Sequence, residues 1–312
     1  MEETKQQPLG LRVCAELAGS FLLCFAIYAF STWGSAVYGV NVVFMAVATG
    51  LAYAVVTAIF SRISGGQFNP AVTVAAVLAS KTKLVDGVLY VIAQVIGAIA
   101  AGFAVVKLLP TSEQVTSTVW LSPAVNGFEK GSVSYSLLTQ YGITFSITLA
   151  IVVEVVASLI VVAAAMSTMG KNGEGSDCYT ATMGIAYAIA VAISYPVTGA
   201  GLNPARSTGI AVATVNEGLT QNPLQQLWVF WIAPVLAAAV VALVMIIVQM
   251  TTTAKPKAEL TDEGDMADLE DADEQAAEDS AEDGVAEQAI EAEVRDQQAD
   301  AESNADEGIE RD

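Results

Sequence analysis

The tripeptide Asn-Pro-Ala occurs twice, at residues 69–71 and 203–205. Of all the residues in this chain, these have the residue types and spacing that most strongly suggest a functional site. Asparagine is a good cap for a helix N-terminus, and proline suits the first helical position, where its missing N–H costs nothing. A short apolar stretch follows each copy, at 70–78 and at 204–213. Because a helix N-terminus carries roughly half a positive charge, each copy predicts a positive helix end beside an asparagine amide.

The two tripeptides belong to a longer internal repeat with a constant offset of 134 residues. Gly-Leu-Ala-Tyr-Ala at 50–54 answers Gly-Ile-Ala-Tyr-Ala at 184–188 at the same offset. One Asn-Pro-Ala alone is usually just a helix cap. Its duplication within a gapless repeat indicates that both copies serve one function.

Long apolar runs must position these tripeptides. A helix needs about 20 mainly apolar residues to cross the hydrocarbon core, and six runs qualify: 13–32, 42–61, 84–108, 148–168, 181–197 and 227–250. The stretches that follow the tripeptides are too short to cross, which predicts re-entrant half-helices beside a cavity. Three runs separate the two copies, so the second copy enters from the opposite side. The pattern predicts an all-α membrane protein with six transmembrane helices, two half-helices and an inverted repeat.

The charge is concentrated at the C-terminus. Of the 33 acidic residues, 23 lie in residues 255–312, beside four basic ones. High charge without aromatic residues predicts disorder. We therefore predict a cytoplasmic N-terminal segment (1–12), a channel domain (13–250, with halves 13–109 and 148–250) and an acidic, disordered cytoplasmic tail (255–312). The tail is either a solvating segment or a docking site for a basic cytoplasmic partner.

The composition argues against catalysis. Histidine is absent and the three cysteines show no metal-ligand spacing, so the commonest neutral-pH acid/base group and metal ligand are missing. We predict no enzyme activity, no cofactor, no metal and no nucleic-acid partner. Three classes remain: a passive channel, a secondary transporter, since inverted repeats occur there too, and a junctional or scaffolding membrane protein with a closed pore.

The chain from about residue 11 to residue 249 resembles the aquaporin, or major intrinsic protein, family. Ser-Gly-Gly-Gln-Phe-Asn-Pro-Ala-Val at 64–72 and Asn-Pro-Ala-Arg-Ser at 203–207 look like its two signatures, and Ala-Glu-Leu-Ala-Gly-Ser at 15–20 is similar to its first-helix motif. The resemblance implies an aquaporin-like bundle of six helices plus two half-helices, with one pore per subunit and a homotetrameric assembly.

The resemblance also implies roles for eight positions. These are the pore centre at Asn69 and Asn203, the selectivity filter at Thr49, Val191, Ala200 and Arg206, and support of the re-entrant loops by Glu16 and Glu154. Independently of the family, an arginine at membrane depth is costly and by default functional. For the two acids, a proton relay is the alternative, because carboxylates in membrane spans mark relays in transporters.

The expected filter departs from that of strict water channels, which have an aromatic residue in place of Thr49 and a histidine in place of Val191. Smaller side chains predict a wider constriction, because pore diameter and lining donors set what passes. We expect water and small neutral solutes such as glycerol, urea, ammonia and hydrogen peroxide to pass, while the half-helix dipoles exclude protons and ions. Four further positions look like the water-channel branch of the family: Ser207, Ala211, Phe230 and Trp231.

The positive charges outside the apolar runs predict the orientation. Lysine and arginine residues fall mainly on one face if six helices alternate, at Lys5, Arg12, Arg62, Lys81, Lys83, Lys171, Lys255 and Lys257, against Lys107 and Lys130 on the other. The positive-inside rule then places both termini in the cytoplasm. The plasma membrane and an intracellular membrane both stay open, with lipid and permeating solutes as partners.

Overall fold

The computed structural model describes residues 6–253. Within this part of the chain, six helices are long and apolar enough to span a membrane: Leu9–Tyr38, Val42–Ser64, Leu84–Leu108, Ile147–Thr168, Tyr179–Thr198 and Val229–Thr252. Two shorter helices, Pro70–Leu78 and Pro204–Thr214, begin at the repeated tripeptides. We call these the first to sixth spanning helices and the first and second half-helices. The predicted all-α fold is confirmed.

The helix ends differ from the predicted bounds at some termini. The first spanning helix begins at Leu9 instead of residue 13 and continues past a π-helical turn at Phe30–Gly34. Helical hydrogen bonding continues into the polar flank, whereas hydropathy reports only the apolar part. The predictions for the acidic tail, including its basic partner, and for residues 1–5 lie outside the described residues.

The helices pack as two similar halves. The first spanning helix packs against the third as the fourth packs against the sixth. The second half-helix packs against the third spanning helix as the first half-helix packs against the sixth. The second and fifth spanning helices contact each other. This arrangement is the internal symmetry that the sequence offset predicts, and it sets the two half-helices against each other.

Small residues allow the central helices to cross closely. A Cβ atom added to Gly50 would lie 2.5 Å from the carbonyl oxygen of Gly184, and one added to Gly102 would lie 2.6 Å from that of Gly209. Next to the first crossing, Leu51 is 62% exposed. Glycine therefore brings two backbones into contact, while its neighbour faces away from the bundle.

The chain between the third and fourth spanning helices carries two short helices, Ser117–Leu121 and Val133–Thr139. Neither is predicted from the sequence, because hydropathy does not mark them. Between them, Asn126 is 4% exposed. This connection delivers a polar side chain to the interior of the bundle.

Candidate functional site

The loops that precede the half-helices adopt one conformation twice. The φ angle is positive at residues that match across the repeat: Gly65, Gly66 and Phe68 in the first loop, and Gly199, Ala200 and Leu202 in the second. Residues other than glycine rarely adopt positive φ. Each such residue costs about 1–3 kcal/mol and persists only where its surroundings enforce it. Both loops therefore need support from the rest of the bundle.

Glu16, on the first spanning helix, binds the first loop. Its Oε1 accepts hydrogen bonds from the hydroxyl of Ser64 at 2.6 Å and the backbone N–H of Gln67 at 3.0 Å. Its Oε2 accepts from the backbone N–H of Phe68 and the side chain of Gln94, both at 2.8 Å. The carboxyl group is fully buried, and the loop residues that it binds lie at or next to the positive-φ positions.

Glu154, on the fourth spanning helix, binds the second loop in the same way. Its Oε1 accepts from the Thr198 hydroxyl and from the backbone N–H of Gly201 at 2.8 Å. Its Oε2 accepts from the backbone N–H of Leu202 at 2.8 Å. Both acids thus contact successive loop N–H groups, although 138 positions separate them in the chain and the rest of the repeat keeps an offset of 134.

The two asparagines cap the half-helices. The Oδ1 atom of Asn69 accepts from the backbone N–H of Ala71 at 2.8 Å, and that of Asn203 accepts from Ala205 at 3.0 Å. A proline occupies the start of each half-helix. These are the local interactions that the tripeptide predicts.

The two half-helices meet at their N-termini. The Nδ2 atom of Asn69 donates to the carbonyl oxygen of Leu202 at 3.0 Å, in the opposite loop. Reciprocally, Nδ2 of Asn203 donates to the carbonyl oxygen of Phe68 at 2.8 Å. Two positive helix ends therefore lie beside each other in the interior of the bundle.

The second hydrogen of each amide is donated to a tyrosine. Asn69 donates to the hydroxyl of Tyr187 at 2.8 Å, and Asn203 donates to that of Tyr53 at 2.9 Å. The two tyrosine rings stack, with centroids 3.2 Å apart and planes 8° from parallel. An amide NH₂ has two hydrogens to donate, so both are used within the protein. In this conformation neither amide has a hydrogen left to donate to a passing molecule.

A small cavity is lined by all four residues expected to form the filter, Thr49, Val191, Ala200 and Arg206. Tyr53, Tyr187 and Asn203 also line it. On the second spanning helix Thr49 and Tyr53 stand one turn apart, as do Tyr187 and Val191 on the fifth. The volume of this cavity is about 20 Å³, which is room for about one water molecule.

Asn126 is a site residue that the sequence analysis missed. Its Oδ1 accepts from the guanidinium of Arg206 and, at 2.8 Å, from the hydroxyl of Ser207. Its Nδ2 donates to the carbonyl oxygen of Gly199 at 2.9 Å. The same guanidinium lies 5.9 Å from the ring centre of Tyr28. Asn126 thus joins the arginine to the second loop, and no sequence spacing connects it with the repeat.

The aromatic pair on the sixth spanning helix packs against the second loop and half-helix. A Cβ atom on Gly201 would lie 2.3 Å from the ring of Phe230, so only glycine fits there. The indole N–H of Trp231 donates to the hydroxyl of Thr208 at 2.9 Å. Both residues therefore make contacts within the bundle.

A second cavity, of about 670 Å³, is bordered by many cationic side chains. Those lining it are Arg12, Arg62, Lys81, Lys83 and Lys171. Asp86 and Glu174 also line it, and Asp86 pairs with Arg12 at 2.8 Å. The ammonium of Lys81 donates to the carbonyl oxygen of Met169, and burial lowers the pKa of Lys81.

Comparison with known sequences places this geometry in a family. The family model described as Major intrinsic protein matches residues 3–245. The chain belongs to the major intrinsic protein family. It is therefore an integral, multi-pass membrane protein and a passive channel for water or small solutes rather than an enzyme.

Several members of the major intrinsic protein family are similar over most of their length. Aquaporin Z of Photorhabdus laumondii is 30% identical, covering 73% of this chain and 93% of that protein. The lens fiber major intrinsic protein of Gallus gallus is 32% identical, covering 78% and 83%. The X-ray structure of the aquaglyceroporin from Plasmodium falciparum matches with a TM-score of 0.59 at 18% identity, covering 79% of this chain and all of that one. This last likeness supports the fold alone.

Proposed function

We propose that this channel conducts water and small neutral solutes and excludes protons and ions. The main support for this proposal is that the two half-helix N-termini meet, with Asn69 and Asn203 each donating a hydrogen bond to the opposite loop. Two positive helix ends inside a narrow passage oppose cations and protons while leaving neutral molecules free to pass. Asn69 and Asn203 mark the pore centre in this proposal.

The outer selectivity filter in this proposal consists of Thr49, Val191, Ala200 and Arg206. Their common cavity supports the assignment. Three of the four side chains are small, and Arg206 supplies the positive charge. Because pore diameter and lining donors set what passes, this filter admits glycerol, urea, ammonia and hydrogen peroxide as well as water.

Glu16 and Glu154 hold the two loops in this proposal. Each carboxylate oxygen of both residues accepts at least one hydrogen bond from within the protein. These bonds fix loop residues at or next to positions of positive φ, which need outside support. Such contacts favour positioning over a proton relay, because a relay needs partners that exchange protons along a path.

Both chain termini lie in the cytoplasm in this proposal, and four copies assemble as the family resemblance implies. Five of the lysine and arginine residues expected on the cytoplasmic face border a single cavity. Their common location supports the prediction that they lie on one side of the membrane. The plasma membrane and an intracellular membrane are both compatible with this orientation.

Osmotic assays on reconstituted vesicles test the proposed function. Wild-type protein is expected to give fast water flux with low activation energy and measurable flux of urea and glycerol. Thr49→Phe and Val191→His narrow the filter, so both should lower urea and glycerol flux relative to water. Leu51→Phe adds the same ring at a position that is 62% exposed and should leave this ratio unchanged. Strict exclusion by the wild type of every solute larger than water would contradict the proposed conduction of small neutral solutes.

A membrane protein with a closed pore is the second candidate, and the stacked tyrosines favour it. Their hydroxyls take the amide hydrogens that would otherwise face the passage. A wild-type protein with no water flux above that of empty vesicles would support this candidate over an open channel.

A further inference from the structure

We propose that Tyr53 and Tyr187, here called the tyrosine pair, form an inner constriction that sets the size limit and rate of the channel. This inference rests on the proposed channel function and adds a barrier that the outer filter does not contain. It assigns the size limit to the centre of the bundle, one helical turn inward from Thr49 and Val191.

The position of the tyrosine pair supports this role. Both residues line the same cavity as the filter, together with Asn203. They come from the second and fifth spanning helices, which cross closely at Gly50 and Gly184. Both tyrosines stand three residues after those glycines in the repeated pentapeptide. The close crossing thus brings the two rings together beside the N-termini of the half-helices.

The hydrogen bonds of the tyrosine pair hold it in place. Each hydroxyl accepts from one half-helix asparagine, at 2.8 and 2.9 Å. The side chains are almost fully buried, with Tyr53 at 2% and Tyr187 at 1% exposure. A molecule that accepts a hydrogen bond from the amide of Asn69 or Asn203 must replace a tyrosine hydroxyl, because the remaining amide hydrogens are donated to the opposite loops.

The stacking of the rings explains why the barrier discriminates by size. With ring centroids 3.2 Å apart, no molecule fits between the rings until they separate. A small molecule such as water needs a smaller separation than glycerol does. The tyrosine pair should therefore make the permeability fall steeply with solute size, even though the outer filter has small side chains.

The test compares three variants in vesicles containing the full-length protein, with water and glycerol as probes. Tyr53→Val/Tyr187→Val removes both rings and should raise the ratio of glycerol to water permeability about tenfold, which corresponds to about 1.4 kcal/mol. Tyr53→Phe/Tyr187→Phe keeps both rings but removes their anchoring hydroxyls. It should raise water flux while keeping the permeability ratio near that of the wild type.

Leu121→Ala is the control for a packing defect. It truncates a fully buried side chain in a short helix outside both half-helices, so it should leave the permeability ratio unchanged. Monodispersity after extraction and equal protein content in the vesicles establish that each variant folds and inserts.

The outcomes separate this inference from the channel function. An unchanged glycerol-to-water ratio in the valine variant, with water flux present, overturns the inference alone. An equal rise in Leu121→Ala also overturns it. Absence of flux in both the wild type and the valine variant overturns the inference and the channel function together. Flux in the valine variant but not in the wild type supports the constriction and favours the closed-pore candidate.

Discussion

The helix crossing at Gly50 and Gly184 offers a stringent test of the packing that positions the pore. A Cβ atom at Gly50 would lie 2.5 Å from the carbonyl oxygen of Gly184 and 2.8 Å from the Cβ of Ala188. A Cβ atom at Gly184 would lie 2.9 Å from the Cβ of Ala54 and 3.0 Å from the carbonyl oxygen of Gly50. Alanine at either position therefore separates the helices, and the closer approach predicts a larger effect for Gly50→Ala.

The expected magnitude follows from two opposing terms. Overpacking a well-packed interior costs about 1–3 kcal/mol, and the 2.5 Å contact with a backbone atom argues for the upper end in Gly50→Ala. Alanine recovers about 1 kcal/mol of helix propensity relative to glycine. The free energy of unfolding should therefore fall by about 2 kcal/mol for Gly50→Ala and by about 1 kcal/mol for Gly184→Ala.

Thermal unfolding of the purified protein in detergent measures this difference. A loss of about 2 kcal/mol should lower the unfolding midpoint by roughly 4–8 °C, with about half that shift for Gly184→Ala. Gly10→Ala is the matched control. Gly10 also lies on a spanning helix, but a Cβ atom added there meets no neighbouring part of the protein within 4 Å. Its midpoint should stay the same or rise.

Two results would refute the packing argument. One is a Gly50→Ala protein as stable as the wild type. The other is a larger loss for Gly184→Ala than for Gly50→Ala, since the order of the two contacts predicts the opposite. A loss in the Gly10→Ala control would show that the assay responds to glycine replacement in general.

Two further variants test the surroundings of the pore. Asn126→Ala removes the acceptor for the Arg206 guanidinium. A double-mutant cycle with Arg206→Ala, measured by thermal unfolding, should give a coupling free energy of about 1.5–3 kcal/mol between the two residues. If the two losses of stability are simply additive, the contact contributes nothing to stability. Glu154→Gln places an amide where loop N–H groups point, so it should cost about 1–3 kcal/mol yet leave proton flux across vesicles unchanged. Proton conduction that is present in the wild type and lost in Glu154→Gln would instead support the relay.

The sequence alone determined the features that depend on local chemistry. Apolar runs of sufficient length predicted the six spanning helices, because a backbone that crosses hydrocarbon must hydrogen-bond all of its polar groups internally. Asparagine followed by proline predicted the start of each half-helix, and the first one matches the predicted range 70–78. The constant offset predicted the two-fold arrangement, because repeat segments with similar sequences bury corresponding helix faces.

Only the tertiary structure decided which side chains meet. The sequence marks Tyr53 and Tyr187 as matching repeat positions, but their stacking depends on how closely two helices cross. The partners of the Asn69 and Asn203 amides are 118 to 150 residues away in the chain. Asn126 reaches Arg206 through a connection without hydropathic periodicity. Such contacts depend on helix separation and on loop conformations with positive φ, which residue types do not encode locally.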